Sequence, residues 1–353
     1  MPVLDDALAT LSPVSEPAAE AGRARQELLT KPSGSLGDLE RAGVQLCAIS
    51  GTCPPPVPSP AAVAIFAGDH GSLEEGVSPW PQEVTAQMVA NFCAGGAAVN
   101  VLAKHVGADV VVVDVGVASD LPPASGFRSA KVRRGTANIA ESPAMERSEA
   151  LRALDVGVEV AFDLVNKGSR CLLTGDMGIG NTTASAAIIA AFSGEPPEKV
   201  TGIGTGVDSK GLSRKVEVVE KALSHLDVGV EDPVGVLASL GGLEIAALAG
   251  YVVAGASCGI PVILDGVIAC AAALSAVAIA PDCKGYIVAG HRSSEPGASV
   301  ALAHLGLRPL IDLDLRLGEG TGACLALPVL QAAAKVLNEM ATFESAGVSE
   351  KHG

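Results

Sequence analysis

Arg170-Cys171-Leu172-Leu173-Thr174-Gly175-Asp176-Met177-Gly178-Ile179-Gly180-Asn181-Thr182-Thr183 begins as an apolar run, turns on three glycines and passes into an Ala/Ile-rich stretch ending near Phe192. A short apolar run, a glycine turn and a helical composition in that order read as strand, loop, helix. The pattern repeats outward in both directions. Strand-type runs occupy Ala61 to Ala67, Asp109 to Val115, Arg170 to Thr174, Pro261 to Leu264 and Gly285 to Ala289. Helical stretches lie between them, at Thr85 to His105, Arg147 to Asn166, Thr183 to Phe192 and Leu212 to Leu226. The expectation is an α/β fold, a mostly parallel sheet with helices on both faces. In such sheets ligands bind beyond the carboxyl ends of the strands, where loops lead into helices.

The chain ends read differently. Residues 1 to 50 look helical, with a break at Lys31-Pro32-Ser33-Gly34-Ser35-Leu36-Gly37. The run Cys53-Pro54-Pro55-Pro56-Val57-Pro58-Ser59-Pro60 fits neither helix nor central strand and predicts an extended connector. Thr321 to Thr342 reads as one long apolar helix that returns to the N-terminal helices. The expected organisation is a helical segment over 1–55, a large α/β domain over 61–312, and a loop and returning helix over 313–353.

Composition narrows the function classes. With 353 residues, 48% of them hydrophobic, the chain can bury a core large enough for an enzyme. Only 3% are aromatic and the formal charge is -15, so neither base stacking nor attraction to a polyanion favours nucleic acid. The one dense basic run, Lys131, Arg133 and Arg134, reads as a solvated surface. Eight cysteines without CxxC spacing read as small buried residues in a reducing compartment. The N-terminus has no secretory pattern, which makes the cytoplasm the expected location. Ile245 to Leu264 and Gly266 to Pro281 are uncharged, but they are rich in Ala and Gly, contain Pro261 and lack flanking Lys or Arg. Buried helix and strand are expected there rather than a membrane span.

Three glycine loops are placed to carry chemistry. Gly175 to Thr183 suits a phosphate, because turn amides and a helix N-terminus converge there. Its GxxxxG spacing is followed by Asn181 where a triphosphate loop requires Lys, so a monophosphate ester fits better. Gly202-Ile203-Gly204-Thr205-Gly206-Val207-Asp208 lacks a dinucleotide fingerprint, and reads as a flexible loop or a second wall of the phosphate site. Arg316-Leu317-Gly318-Glu319-Gly320-Thr321-Gly322 opens the terminal helix, whose dipole is expected to keep Glu319 ionised. Spacing alone leaves base and helix cap open for that residue. His70 and His291 follow apolar runs without HxxxH, HExxH or Cys/His pairing, so hydrogen bonding is expected of them rather than metal ligation.

Taken together, seven stretches resemble the nicotinate-nucleotide:dimethylbenzimidazole phosphoribosyltransferase family, from Lys31 to about Val348. They are Lys31 to Gly37, Gly68-Asp-His-Gly with Gly76-Val-Ser, Asn91-Phe through Gly95-Gly-Ala-Ala, Gly178 to Thr183, Gly241-Gly-Leu-Glu-Ile-Ala, Ser294-Glu-Pro-Gly, and Arg316 to Ala323. The resemblance implies a Rossmann-like domain, a small helical domain from both chain ends and a homodimer with its site near the subunit interface. It implies Glu319 as the catalytic residue, with Asp176 also in the catalytic set. Ser78 and Gln87 are implied for the base pocket. Gly178, Ile179, Gly180, Asn181, Thr182, Thr183, Gly204, Lys215 and Ser293 are implied around the ribose phosphate. Two positions depart from the family pattern: Asp176 stands where Glu is common before Met-Gly-Ile-Gly, and Ala298 where His often follows Glu-Pro-Gly.

The implied reaction moves the ribose phosphate of nicotinate mononucleotide onto a benzimidazole-type base and releases nicotinate, without cofactor or metal. The glycosidic nitrogen of that nucleotide is already a pyridinium, so nicotinate leaves without protonation. Enzymes using the pyrophosphate donor usually end an apolar strand in two acids, whereas Val110-Val-Val-Val-Asp114-Val115 supplies one. An oxidoreductase or NTPase is disfavoured by the missing fingerprint and the missing lysine. A non-catalytic binding or membrane protein, and the same chemistry on adenine, a substituted benzimidazole or a phenol, are the other readings.

Overall fold

The computed structural model describes residues 3–349. Three helices come first, α1 (Val3–Thr10), α2 (Glu16–Leu28) and α3 (Asp38–Ser50). Then follow β1 (Ala61–Gly68), α4 (Glu83–Ala94), α5 (Ala98–Val106), β2 (Ala108–Gly116), β3 (Phe127–Ser129), α6 (Arg147–Asn166), β4 (Cys171–Met177), α7 (Asn181–Ser193) and α8 (Pro197–Val200). The chain continues through α9 (Ser209–Ser224), α10 (Pro233–Leu240), α11 (Leu243–Ser257), β5 (Val262–Leu264), α12 (Val267–Ile279), β6 (Ile287–Ala289), α13 (Pro296–Leu305), α14 (Thr321–Glu339) and α15 (Phe343–Ala346).

The six strands form one parallel sheet in the order β3-β2-β1-β4-β5-β6. Strand β1 is central and buried along its whole length, so it reads as a continuous apolar run rather than an alternating one. Its side chains still alternate between faces. Ala62, Ala64 and Phe66 join the core shared with α6, α11 and α12, while Val63, Ile65 and Ala67 join the core shared with α14. The chain winds from β1 outward to β2 and β3, then crosses back to β4 on the other side of β1. That reversal opens a crevice at the carboxyl ends of β1 and β4, the place where doubly wound sheets hold ligands.

Several expectations shift in detail. The helix expected over Thr85 to His105 is two helices, because Gly95 takes φ 79° and its amide closes on Asn91 and Phe92 carbonyls. Asn100 Oδ1 then accepts from Ala97 N at 3.1 Å to start α5. The terminal helix ends at Glu339, and β3 is an unexpected edge strand. The connector before β1 is strapped to α14 by Asn338 Nδ2 donating to Pro55 O at 2.8 Å and Gln331 Nε2 donating to Pro58 O at 3.2 Å. Helices α2 and α3 pack with α14, and Thr30 N donates to Ala341 O at 3.0 Å where the chain ends meet. Helix α1 does not join them: it lies on α6 and α11, where Leu4 N donates to Asp155 Oδ1 at 2.9 Å.

The uncharged stretches become α11 and α12, 15 and 13 residues long and buried against the sheet, short of the roughly 20 residues a span requires. Among the described residues only Glu83–Val106 is long and apolar enough by composition, and the turn at Gly95 divides it. The basic run is taken up locally, with Lys131 on Asp114, Arg133 on Glu149 and Arg134 on Asp120.

Candidate active site

A cleft of about 450 Å³ lies over the carboxyl ends of the central strands. Its floor runs from the end of β4 through the following loop into α7, with Asp176, Gly178, Ile179, Asn181 and Thr182. Trp80, Val84 and Met88, from α4 and the segment before it, make an apolar wall. Gly204, Ser293 and Glu295 line the cleft as well, as do Arg316 to Glu319. The structure thus brings together Asp176, Glu319, Gly178, Ile179, Asn181, Thr182, Gly204 and Ser293.

The remaining expected residues stand apart from the cleft surface. Gly180 begins α7 and faces His70, and Thr183 is fully buried inside the same helix. Lys215 lies behind the wall, where its Nζ donates to Thr182 Oγ1 and Gly202 O, both at 2.9 Å. Ser78 is at the rim, its hydroxyl 3.3 Å from that of Thr205, which does line the cleft. Gln87 is exposed on α4, while its neighbour Met88 reaches the wall.

Within the β4 loop, Ile179 N donates to Thr85 Oγ1, Asn181 N to Gly178 O and Thr183 N to Gly180 O. These bonds fix the turn but use amides that the glycine pattern alone offers to an anion. The Gly202 loop is held from two sides: Gly204 N donates to Glu295 Oε1 at 2.8 Å, and Arg316 Nη1 donates to Gly204 O at 3.0 Å. It is a built wall. Burial pulls the Lys215 ammonium down to about 8, against the opposing pull of Glu295.

Glu319 is 6% exposed and sits in left-handed backbone, φ 66°, between Gly318 at 82° and Gly320 at 103°. Such a conformation costs a side-chain-bearing residue about 1–2 kcal/mol. The expected effect of the α14 dipole is not what governs it. Burial, with the charge of Asp265, raises Glu319 above the usual carboxylate range, while the Val99 amide pulls the other way. The helix start facing Glu319 is that of α5, through Val99 N at 3.4 Å from Oε2. The amides of α14 are occupied by Asp265. Asp176 is raised further, by burial and by the charges of Asp265, Glu244 and Glu319, against a bond of 3.0 Å from Asn181 Nδ2.

A family model described as phosphoribosyltransferase matches residues 11–348. The nicotinate-nucleotide–dimethylbenzimidazole phosphoribosyltransferase of Salinispora tropica is 54% identical, over 99% of this chain and 100% of its own. That of Chloroflexus aurantiacus is 49% identical over the same shares. The chain belongs to the nicotinate-nucleotide:dimethylbenzimidazole phosphoribosyltransferase family. A crystal structure of the Thermus thermophilus enzyme of that name superposes with a TM-score of 0.91 at 48% identity, covering 96% of this chain and 100% of the other.

For a nicotinate-nucleotide:dimethylbenzimidazole phosphoribosyltransferase family member, sequence reasoning missed two features of the cleft, its apolar wall and the bond that Glu295 makes. Trp80, Val84 and Met88 were ordinary apolar positions until α4 turned them toward the glycine loops. Glu295 sits inside a quoted family stretch, but its bond to Gly204 spans 91 residues. His70 Nε2 meets Glu244 Oε1 at 2.6 Å below the floor, which gives that histidine its hydrogen-bonding role. His291 faces Asp265, with Nε2 3.7 Å from Oδ1. Ala298 is buried in α13, away from the cleft surface.

Proposed function

We propose that this phosphoribosyltransferase moves the 5-phosphoribosyl group of nicotinate mononucleotide to 5,6-dimethylbenzimidazole, with inversion at C1′ and Glu319 as general base. The products are α-ribazole 5′-phosphate and nicotinate. The observation that carries the reading is a buried carboxylate of raised proton affinity in a cleft lined by an apolar wall and the glycine-rich loop after β4.

The ring nitrogen of the base that lacks a proton attacks C1′ as the C1′–pyridinium bond breaks, and its electron pair returns to the nicotinate nitrogen. The enzyme's main task is alignment of the two rings on opposite faces of the ribose. The flat base fits the wall of Trp80, Val84 and Met88. The phosphate belongs on the other side, at Gly178 to Thr182 and Gly204, with the Lys215 charge behind Thr182. As the new bond forms the benzimidazole becomes cationic, and its N–H proton passes to Glu319. A carboxylate of ordinary value is a weak base for this; one raised by burial is better matched to the acidic ring cation. Burial, with the neighbouring acids, holds the Asp176 carboxyl well above its ordinary value, a direction that lessens negative charge beside the phosphate.

The same reading includes a cytoplasmic homodimer, and a small helical unit formed by α2, α3 and the end of α14 beside the large α/β domain. The test is chromatography with mass detection on purified protein, nicotinate mononucleotide and a panel of bases. Nicotinate release matched by the α-ribotide of 5,6-dimethylbenzimidazole is expected. Product only from adenine, another benzimidazole or a phenol would change the acceptor, and no product from any base would overturn the reading.

A further inference from the structure

Asp265 follows β5, is 1% exposed and has no part in the transfer chemistry described above. Its Oδ1 accepts from Gly322 N at 2.7 Å and Ala323 N at 3.1 Å, and its Oδ2 from Gly320 N at 3.1 Å. Its own amide donates to Thr174 Oγ1 at 2.9 Å, and that hydroxyl donates to Ile263 O, so the group is fixed to the sheet from behind. A helix start leaves amides without partners, and the N-cap side chain normally accepts from them. Here the N-cap is Gly320, which has no side chain, and the acceptor comes from 55 residues earlier.

Gly320 is the residue next to Glu319. Left-handed backbone at Glu319 persists only if its surroundings impose it. Three charge-assisted bonds converging on the start of α14 are contacts of that kind. We propose that Asp265 is a positioning residue of the transfer reaction, acting through the amides of Gly320, Gly322 and Ala323 to hold the Glu319 carboxylate at the cleft. The proposal rests on Glu319 being the base.

Asp265 also acts on Glu319 by charge. The titratable and charged groups around the pair are Asp176 from β4, with Glu244 of α11 beyond it, and His291 after β6. Arg316 lies on Glu319's own loop, while Cys270 of α12 and Cys324 of α14 feel Asp265 directly. After burial, it is the Asp265 charge that raises Glu319. Replacing Asp265 by a neutral group therefore lowers Glu319, and the acid limb of kcat moves to lower pH.

The experiment is a cycle of Asp265→Asn, Glu319→Gln and the double variant, with kcat, KM for nicotinate mononucleotide and pH profiles. Asp265→Asn is expected to lower kcat about tenfold or more, to leave that KM within about twofold, and to shift the acid limb downward. In the Glu319→Gln background it is expected to cost little more, because both changes act on one group. An equal loss in both backgrounds, or a parent-like kcat and pH profile, would overturn the role of Asp265. Near-parent kcat in Glu319→Gln alone would instead overturn the base reading, whatever Asp265→Asn does. If Asp265→Asn does not fold, Asp265→Glu keeps the charge and displaces the carboxylate. A lowered kcat with an unmoved acid limb then supports positioning, and parent-like kcat overturns it.

Discussion

His70 Nε2 and Glu244 Oε1 lie 2.6 Å apart in a pair closed to solvent, the two side chains 1% and 0% exposed. They sit under the glycine loop after β4: a Cβ at Gly178 would be 3.4 Å from both His70 Cδ2 and Glu244 Oε1. Burial opposes a charge on His70, but Glu244 and Asp69 outweigh it and hold the imidazole above its ordinary 6.5. His70→Leu strands a buried carboxylate and is expected to cost about 3–5 kcal/mol in urea unfolding. Because the folded value is raised, the imidazole's contribution is complete below pH 6.5 and fades as pH climbs through the folded value. The gap between parent and variant should narrow over that rise; a gap that widens contradicts the pairing.

The raised value of Glu319 carries its own pH signature. A base works ionised, so kcat is expected to fall as pH drops through the Glu319 value, on an acid limb displaced above the ordinary 4.5. Glu319→Gln should lower kcat by about a hundredfold to ten-thousandfold and flatten that limb. An unchanged limb in the variant would assign it to another group.

Lys215 titrates at the other end of the range. Its ammonium, at about 8, is charged below that pH, so kcat/KM for nicotinate mononucleotide is expected to fall as pH rises through about 8. Lys215→Met should lose the limb and about tenfold or more in kcat/KM, chiefly through KM. The stability slope has the opposite sign to that of His70. Between about 8 and the ordinary 10.5 the unfolded chain binds more protons, so the Lys215 contribution favours folding as pH rises.

Trp80 is half exposed and contributes one face of the apolar wall. Trp80→Ala is expected to raise KM for the base by about threefold to tenfold, the worth of an aromatic contact, while KM for the nucleotide holds. A rise in the nucleotide KM alone would move the base to another wall.

The strands of this fold were legible because each is an apolar run ended by glycine or an acid, as in Arg170 to Gly178. Strand β3 was not, since Phe127–Ser129 is three residues long and is defined by pairing with Val112 to Asp114. The division of α4 from α5 was visible in Gly95-Gly96, but the apolar pattern ran through it and took precedence. The glycine loops and Glu319 declared themselves locally, by strand-turn-helix order. What stayed hidden depends on distant partners: His70 with Glu244 across 174 residues, and Asp265 with the start of α14. Glu319 shows the consequence. A local reading of its helix start predicts an easily ionised carboxylate, whereas the burial and the acid brought by β5 give the reverse.

Gly175 shows how closely the loop bearing Glu319 lies on the sheet. A Cβ there would meet the Glu319 carbonyl oxygen at 2.5 Å, Ile65 Cγ1 at 3.1 Å and Ala64 O at 3.2 Å. Two of these three are backbone atoms, one from a central strand that has no room to yield. The loop bearing Glu319, although Asp265 holds its next residue, has the cleft on its other side and is the part with room to shift. Gly175→Ala is therefore expected to cost about 1–3 kcal/mol of stability, and to lower kcat at least tenfold through displacement of Glu319. Urea unfolding and steady-state rates on the same preparation separate the two effects. A variant with lost stability and parent-like kcat would mean that the strand yields and the loop stays in place.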